Sequence, residues 1–274
     1  MEITANLVKE LRERSGAGMM ECKKALTQNN GDIDAAIEWL RKQGLAKADK
    51  KAGRVAAEGR IVLAQEDGKA VLVEVNSETD FVAKNEQFIA FAEDLAVLAD
   101  TVKPANAEEF AQAKLDSDKT VAEAVADLAV VIGEKIELGR VASFDGDVAT
   151  YMHRKASDLP HAVGVLVEYE GGSHDVARGV AMQIAAMRPR YLTREDVPAE
   201  VVSKEREIAE ATAREEGKPE QAIAKITEGR VNGFFKDVVL LEQPSVQDNK
   251  KTVKALLDEA GVTLKRFAHI EIGA

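Results

Sequence analysis

The residue types that ordinarily do covalent chemistry are scarce in this chain of 274 residues, and their spacing gives them little to work with. Cys22 is the single cysteine, one position before Lys23. A helix start with a nearby cation lowers a thiol pKa, so Cys22 is a candidate nucleophile, set against the plainer reading of an inert buried thiol. His153, His161, His174 and His269 fall in no metal-ligand spacing, and one cysteine makes no thiolate zinc site. Neither a G-x-x-x-x-G-K-S/T loop nor G-x-G-x-x-G is present, and Gly16-Ala17-Gly18 alone reads as a turn between helices. Acidic residues are numerous, but spacing sets no pair of them across a cleft, so acid–base catalysis finds no support. Neither a catalytic residue nor a metal or cofactor is expected.

Two features are left that suit contact rather than chemistry. The stretch Asn76-Ser77-Glu78-Thr79-Asp80-Phe81-Val82-Ala83-Lys84-Asn85 runs from the end of a strand into the start of a helix. Thr79 or Asp80 can cap that helix, with Phe81 in its first turn, and the ordinary role of such a ring is to pack under the sheet. The second feature is the pair Met19-Met20. Neighbouring helix positions cannot both face one core, so one of the two is expected at the surface. Methionine adapts to partner grooves, which makes that side chain a docking candidate, against an exposed methionine with no role.

The elements that hold these residues follow from periodicity. Ile3, Leu7, Val8 and Leu11 share one helical face, which Ser15-Gly16-Ala17-Gly18 ends. Met19 to Gln28 is a second helix, stopped by Asn29-Asn30-Gly31. Asp32 caps a third, with Ile33, Ile37 and Leu40 as its stripe and Gly44 as its stop. Ala46 to Arg54 is a basic tether or solvated helix extension. Beyond it, Gly59–Leu63 and Ala70–Val75 flank Asp67-Gly68 and make a hairpin. Gly139-Arg140-Val141-Ala142-Ser143 leads to Val163–Val167 as a second, similar hairpin, with a long loop around Tyr151 to His161. A helical segment follows each, opening with Val82-Ala83-Lys84 and Val176-Ala177-Arg178. Thr120-Val121-Ala122-Glu123 is a capping box for a helix burying Val121, Val125, Leu128 and Ile132. Arg194–Glu216 and Glu220–Phe235 form a helical hairpin broken at Gly217-Lys218-Pro219, its first arm carrying few apolar residues beyond Val197, Val201, Val202 and Ile208. Such an arm projects into solvent or pairs with another chain. A helix, Thr252–Glu259, and a strand, Leu264–Ile272, close the chain. The fold class is α+β.

Charge narrows the partners. Asp and Glu number 48 against 37 Lys and Arg, a net of −11, which weighs against a nucleic-acid binder. No apolar run approaches the roughly 18–20 residues of a membrane span, and Met1-Glu2-Ile3-Thr4 opens no signal peptide. With one cysteine there is no internal disulfide, and a cytoplasmic protein is expected. Residues 1–54 carry +3, so the remainder carries −14, and the head's sign suits an acidic partner surface.

Thr79-Asp80-Phe81-Val82-Ala83-Lys84-Asn85 resembles the signature of bacterial elongation factor Ts. So do Leu11-Arg12-Glu13-Arg14-Ser15-Gly16-Ala17-Gly18-Met19-Met20-Glu21-Cys22-Lys23-Lys24-Ala25-Leu26 and Ile132-Gly133-Glu134-Lys135-Ile136. The order of modules is similar over essentially the whole chain. The resemblance implies a guanine-nucleotide exchange factor for the GTPase elongation factor Tu, met in its GDP-bound and nucleotide-free forms. It implies a ubiquitin-associated-like head that docks through Leu11, Met19 and Met20, and two related core subdomains. It implies that Thr79, Asp80, Phe81 and Val82 dislocate the partner's Mg²⁺, with the Phe81 ring as a wedge. The family's Tyr-x-His contact appears as Tyr151-Met152-His153; His161 is the competing assignment, and His153 is preferred. The helical hairpin becomes a dimerisation or coiled-coil element. The implied boundaries are 1–54 for head and tether, 55–145 for the first core subdomain, 146–193 and 236–274 for the second, and 194–235 for the inserted hairpin.

Overall fold

The computed structural model describes residues 3–15, 17–51 and 55–274. Helices α1 (Ala5–Ser15), α2 (Met19–Gln28) and α3 (Ile33–Lys51) form the head. Val8 and Leu11 of α1, Cys22, Ala25 and Leu26 of α2, and Ala36 and Leu40 of α3 close on one another with Ala17 as a small core. Asn30 and Gly31 take positive φ after α2, and the Asp32 carboxylate accepts the Ala35 amide at 2.9 Å to start α3. Gly44 does not stop α3, which continues to Lys51. One mid-helix glycine costs only about 1 kcal/mol, and the Ala- and Lys-rich residues after it favour helix. Of the basic segment, Ala52–Arg54 lie outside the described residues, as does Gly16 of the first turn.

The body repeats one plan. Strands β1 (Glu58–Glu66) and β2 (Lys69–Ser77) form the hairpin, with φ positive at both Asp67 and Gly68, as the right-handed strand twist demands of a two-residue turn. Then come α4 (Asp80–Ala83), α5 (Glu86–Val102), α6 (Ala107–Gln112), α7 (Val121–Ile132) and β3 (Ile136–Phe144). The second half has β4 (Val148–Arg154), β5 (His161–Glu170), α8 (His174–Met187), the helical hairpin α9 (Ala199–Glu215) and α10 (Glu220–Val238), α11 (Val253–Ala260) and β6 (Thr263–Glu271). Each half makes an antiparallel sheet of three strands, in the orders β1-β2-β3 and β4-β5-β6.

Three expectations are corrected here. Gly139–Ser143 belongs to β3, which pairs with β2, and the hairpin partner of β5 is β4. Tyr151-Met152-His153 therefore lies in a strand rather than a loop. The likeness of Gly59-Arg60-Ile61 to Gly139-Arg140-Val141 has another cause: both glycines flank the same stretch of central β2. A Cβ on Gly59 would stand 2.2 Å from the Val75 carbonyl, and one on Gly139 would stand 2.6 Å from the Asn76 and Glu74 side chains. The Val82–Lys84 triplet lies within the helical segment it was expected to open, since α4 already starts at Asp80. It falls at the one-turn α4, and Asn85 restarts the chain as α5 by accepting the Gln87 and Phe88 amides.

The two sheets pack face to face. Ile61, Ala70, Leu72 and Phe144 of the first meet Val148, Ala162, Leu166 and Ile270 of the second. The alternate residues Val71, Val73 and Val75 turn outward onto α5, α6 and α7, as Val163, Val165 and Val167 turn onto α8 and α11. Gly164 lets the sheets close, since a Cβ there would lie 2.9 Å from Ile61 Cγ2. The period-2 pattern also carries two carboxylates inward. Glu74 of β2 accepts Arg140 Nε at 2.8 Å and Nη2 at 3.0 Å, and Glu168 of β5 accepts Arg266 Nε at 2.5 Å. Arg140 also donates to the Glu271 carbonyl at 2.6 Å, tying one sheet to the other.

The hairpin arms α9 and α10 pack on each other, with Ala209, Ala213, Ile223, Thr227 and Val231 buried. Arg206–Glu228 and Arg230–Glu216 ion pairs lace the arms at 2.8 and 2.7 Å. The capping box at Thr120 is present, with Val121 and Val125 buried and Leu128 and Ile132 partly so.

Candidate functional site

The segment after β2 is clamped from beneath and open above. Thr79 is the N-cap of α4, and its hydroxyl accepts the Val82 amide at 3.4 Å. The Glu134 carboxylate takes both Thr79 donors, the amide at 3.1 Å and the hydroxyl at 2.7 Å. Ser77 Oγ donates to the Thr79 carbonyl at 3.0 Å, and Glu78 accepts the Lys135 amide at 2.6 Å. Gly133 makes this possible: at φ 88 it ends α7 in a left-handed turn that brings Glu134 and Lys135 against residues 77–79. Val82 and Ala83, on the inner side of α4, are buried.

Phe81 goes the other way. The residue is 81% exposed. Burying a phenylalanine is worth about 1.5–3 kcal/mol, so the chain forgoes that here on a turn whose backbone is otherwise tied down. The packing role under the sheet is thereby ruled out for Phe81. Asp80 stands beside it, its carboxylate 3.1 Å from Lys84 Nζ, which also faces Asp158 at 3.5 Å. The Asp80 hydrogen bond, with the charges of Asp80 and Asp158, holds the Lys84 ammonium above its ordinary value despite some desolvation. Asp158 belongs to the β4–β5 loop, so the second half reaches over to α4.

That loop follows the Tyr-x-His strand. Tyr151 and His153, two apart on β4, stack with centroids 6.1 Å apart, and Tyr151 Oη lies 3.2 Å from His153 Nδ1. His153 is exposed. His161 opens β5, half-buried, and its Nε2 accepts Arg154 Nε at 3.3 Å. Burial, then the charges of Arg154, Arg60 and His153, pushes His161 below the ordinary histidine value.

In the head both methionines are exposed, Met19 at 54% and Met20 at 76%, where only one was expected at the surface. Met19 shares the inward face with Cys22 one turn on, but the three-helix core ends before it. Leu11, expected at the same contact, is fully buried among the head helices and offers no surface there. Cys22 is likewise buried, its Sγ near the Ala17 carbonyl, with no open side for a substrate. Among the described residues no group of three or more His, Cys, Asp and Glu is placed to hold a metal, and no helix is long and apolar enough to cross a membrane.

Glu134, Glu78, Lys84 and Asp158 were not singled out from spacing. Glu134 lies 55 positions from Thr79, and no local period announces such a pair. Glu134 does stand in the family-like stretch Ile132-Gly133-Glu134-Lys135-Ile136, and Gly133-Glu134 directly after an amphipathic helix marks a left-handed stop followed by a carboxylate.

Comparison with known proteins bears on the same residues. The family model described as Elongation factor TS matches residues 78–274. Elongation factor Ts of a Nocardioides species is 62% identical over 273 residues, covering 99% of each chain. That of Saccharopolyspora erythraea is 59% identical, covering 97% of this chain and 96% of its own, and that of Rhodococcus erythropolis is 56% identical, covering 99% and 98%.

Proposed function

The chain belongs to the elongation factor Ts family, and from that premise we propose that it binds elongation factor Tu in its GDP form and speeds GDP release. GTP then rebinds. The factor makes and breaks no covalent bond, needs no cofactor, and works in the cytoplasm without contacting nucleic acid or membrane itself. The observation that carries this reading is Phe81, exposed on a turn that Glu134 clamps.

The ring enters between helices of the partner, with Thr79 fixing the turn, Val82 anchoring it and Asp80 moving in beside it. Displacing those helices loosens the ligands of the partner's Mg²⁺, and GDP loses charge compensation. A large ring with few rotatable bonds fills such a pocket at low entropy cost. Factor and nucleotide weaken each other's binding reciprocally, so incoming nucleotide expels the factor. Met19 and Met20 dock the ubiquitin-associated-like head on the partner's nucleotide-binding domain, Leu11 supporting them from inside. His153 makes the second-half contact, since it is exposed and backed by Tyr151, whereas His161 is occupied by Arg154. The hairpin α9–α10 pairs two copies or extends the partner contact, its Ile208 half-exposed.

The test is release of fluorescent GDP from elongation factor Tu. With excess unlabelled nucleotide present, substoichiometric amounts of the chain are expected to release the label from the whole GTPase pool rapidly. Binding without faster release would instead favour a scaffold whose hairpin serves assembly alone. A second result checks the clamp. Glu134→Ala is expected to slow exchange about fivefold, mainly by raising the factor concentration needed, and to cost about 1 kcal/mol of stability. Glu134→Gln keeps one acceptor and should recover part of the rate; equal rates in all three would remove Glu134 from the mechanism.

A further inference from the structure

Lys84 ties the turn that carries Phe81 to the second half of the body. It is the C-cap of α4, and its Nζ lies 3.1 Å from the Asp80 carboxylate and 3.5 Å from that of Asp158. The two carboxylates are not equivalent. Asp80, one helical turn away, accepts a hydrogen bond from the ammonium. Asp158 stands at the outer limit of hydrogen-bond reach, on the loop between β4 and β5. That loop is itself tied down. The Leu159 amide donates to the Ala156 carbonyl at 3.1 Å in a turn that contains Asp158, and Lys155 Nζ donates to the Ile272 carbonyl at 3.2 Å. All three charged side chains keep part of their surface in water, and exposed ion pairs of this kind add little to stability. Their place beside Phe81 suggests a use in the complex instead.

Docking changes what that ammonium needs. In the exchange-factor reading Asp80 moves in beside Phe81, so its carboxylate leaves Lys84 just as the partner covers α4. Lys84 then loses water and its hydrogen-bonded carboxylate together, and an unpaired charge taken out of water is far costlier than an exposed one. We propose that Asp158 is a positioning residue for exchange, taking over the Lys84 ammonium when Asp80 turns to the partner GTPase. The inference rests on the exchange-factor reading. A movement of less than about 1 Å brings Asp158 from 3.5 Å to the ~2.8 Å of a charge-assisted hydrogen bond. The long stem of lysine carries its ammonium through that distance without disturbing the buried Val82 and Ala83. The loop of Asp158 follows directly on the strand that carries His153, so contact at the second half and release of Asp80 favour each other.

The experiment follows GDP release over a range of factor concentrations with the parent, Asp158→Asn and Asp158→Glu, and with Asp158→Asn added to Lys84→Met. Asp158→Asn is expected to lower the maximal release rate about three- to fivefold, with the half-maximal factor concentration and the melting temperature unchanged. Asp158→Glu keeps the charge and should recover most of the rate. In Lys84→Met there is no ammonium to receive, so Asp158→Asn should remove nothing further; that non-additivity shows the two acting as a unit. A loop that merely orients His153 would raise the half-maximal concentration instead, with or without Lys84. That result, an unchanged maximal rate in Asp158→Asn beside an active parent, or an equal loss on both Lys84 backgrounds, overturns the inference and leaves the exchange reading standing. A parent that does not accelerate release removes the exchange reading, and this inference with it.

Discussion

Phe81→Ala is expected to slow factor-driven GDP release roughly 30- to 100-fold with no change in melting temperature. The size follows from treating the ring as the single apolar anchor of the contact. Truncating such an anchor costs about 2–3 kcal/mol, and every ~1.4 kcal/mol is a factor of ten in rate. The unchanged stability follows from the structure: Phe81 is 81% exposed, and the turn is held by Glu134, Ser77 and Val82, none of which the substitution touches. Phe81→Leu should fall between, since it keeps apolar volume without the ring's reach. Stopped-flow release of fluorescent GDP at matched concentrations reads the effect, and calorimetry reads the stability. A variant that exchanges as fast as the parent would take the wedge away from Phe81. A variant that loses exchange and melts lower would make the ring a fold element instead.

Much of the architecture could be read locally because it is made locally. Asp67-Gly68 specified a turn with two positive φ values, Asp32 and Thr120 specified caps, and Gly217-Lys218-Pro219 specified the break between two helices. What escaped was non-local. The likeness of Gly59-Arg60 to Gly139-Arg140 looked like a duplication, yet it records two strands pressing on one stretch of β2 from either side. The true repeat lies in the order of elements, hairpin, helix and third strand, and in a buried Glu–Arg pair for each sheet. Val148–Arg154 alternates as a strand should, Val148 and Met152 facing the other sheet and Tyr151 the helices, but the polar run after it made the stretch resemble a loop. Of the site, an exposed methionine was legible from helix geometry, Phe81 stood out only through the family resemblance because its residue type pointed to packing under the sheet, and the clamp had no local period to announce it. The clamp on the turn that carries Phe81 is non-local, since only the folded chain brings Glu134 to Thr79.

Glu74→Ala is expected to cost about 2–3 kcal/mol at pH 7, roughly a 5–10 °C loss in melting temperature, and the cost should shrink in acid. Glu74 is buried between the sheets and takes four hydrogen bonds: three from Arg140, through Nε, Nη2 and its amide, and one from Asn76. Removing it strands the Arg140 amide. The guanidinium is half-exposed and recovers water, so the loss stays below that of a wholly buried pair. Burial alone pushes the Glu74 carboxyl up, but the hydrogen bonds from Arg140 and Asn76 and the charge of Arg140 more than offset it, leaving the group below its ordinary 4.5. A carboxyl depressed on folding contributes stability that is complete above its unfolded value and lost as pH falls through its folded value. The parent should therefore lose this contribution below about pH 4.5, while the variant has none to lose, so their melting temperatures converge in acid. Some acid sensitivity persists in the variant, because hydrogen bonds from Arg188 depress Glu271 in the same sense. Melting curves from pH 7 to 3 decide it. A gap between parent and variant that stays constant with pH would mean that Glu74 supports the sheets by its volume and not by its charge, and Glu74→Gln, which keeps the volume, separates the two directly.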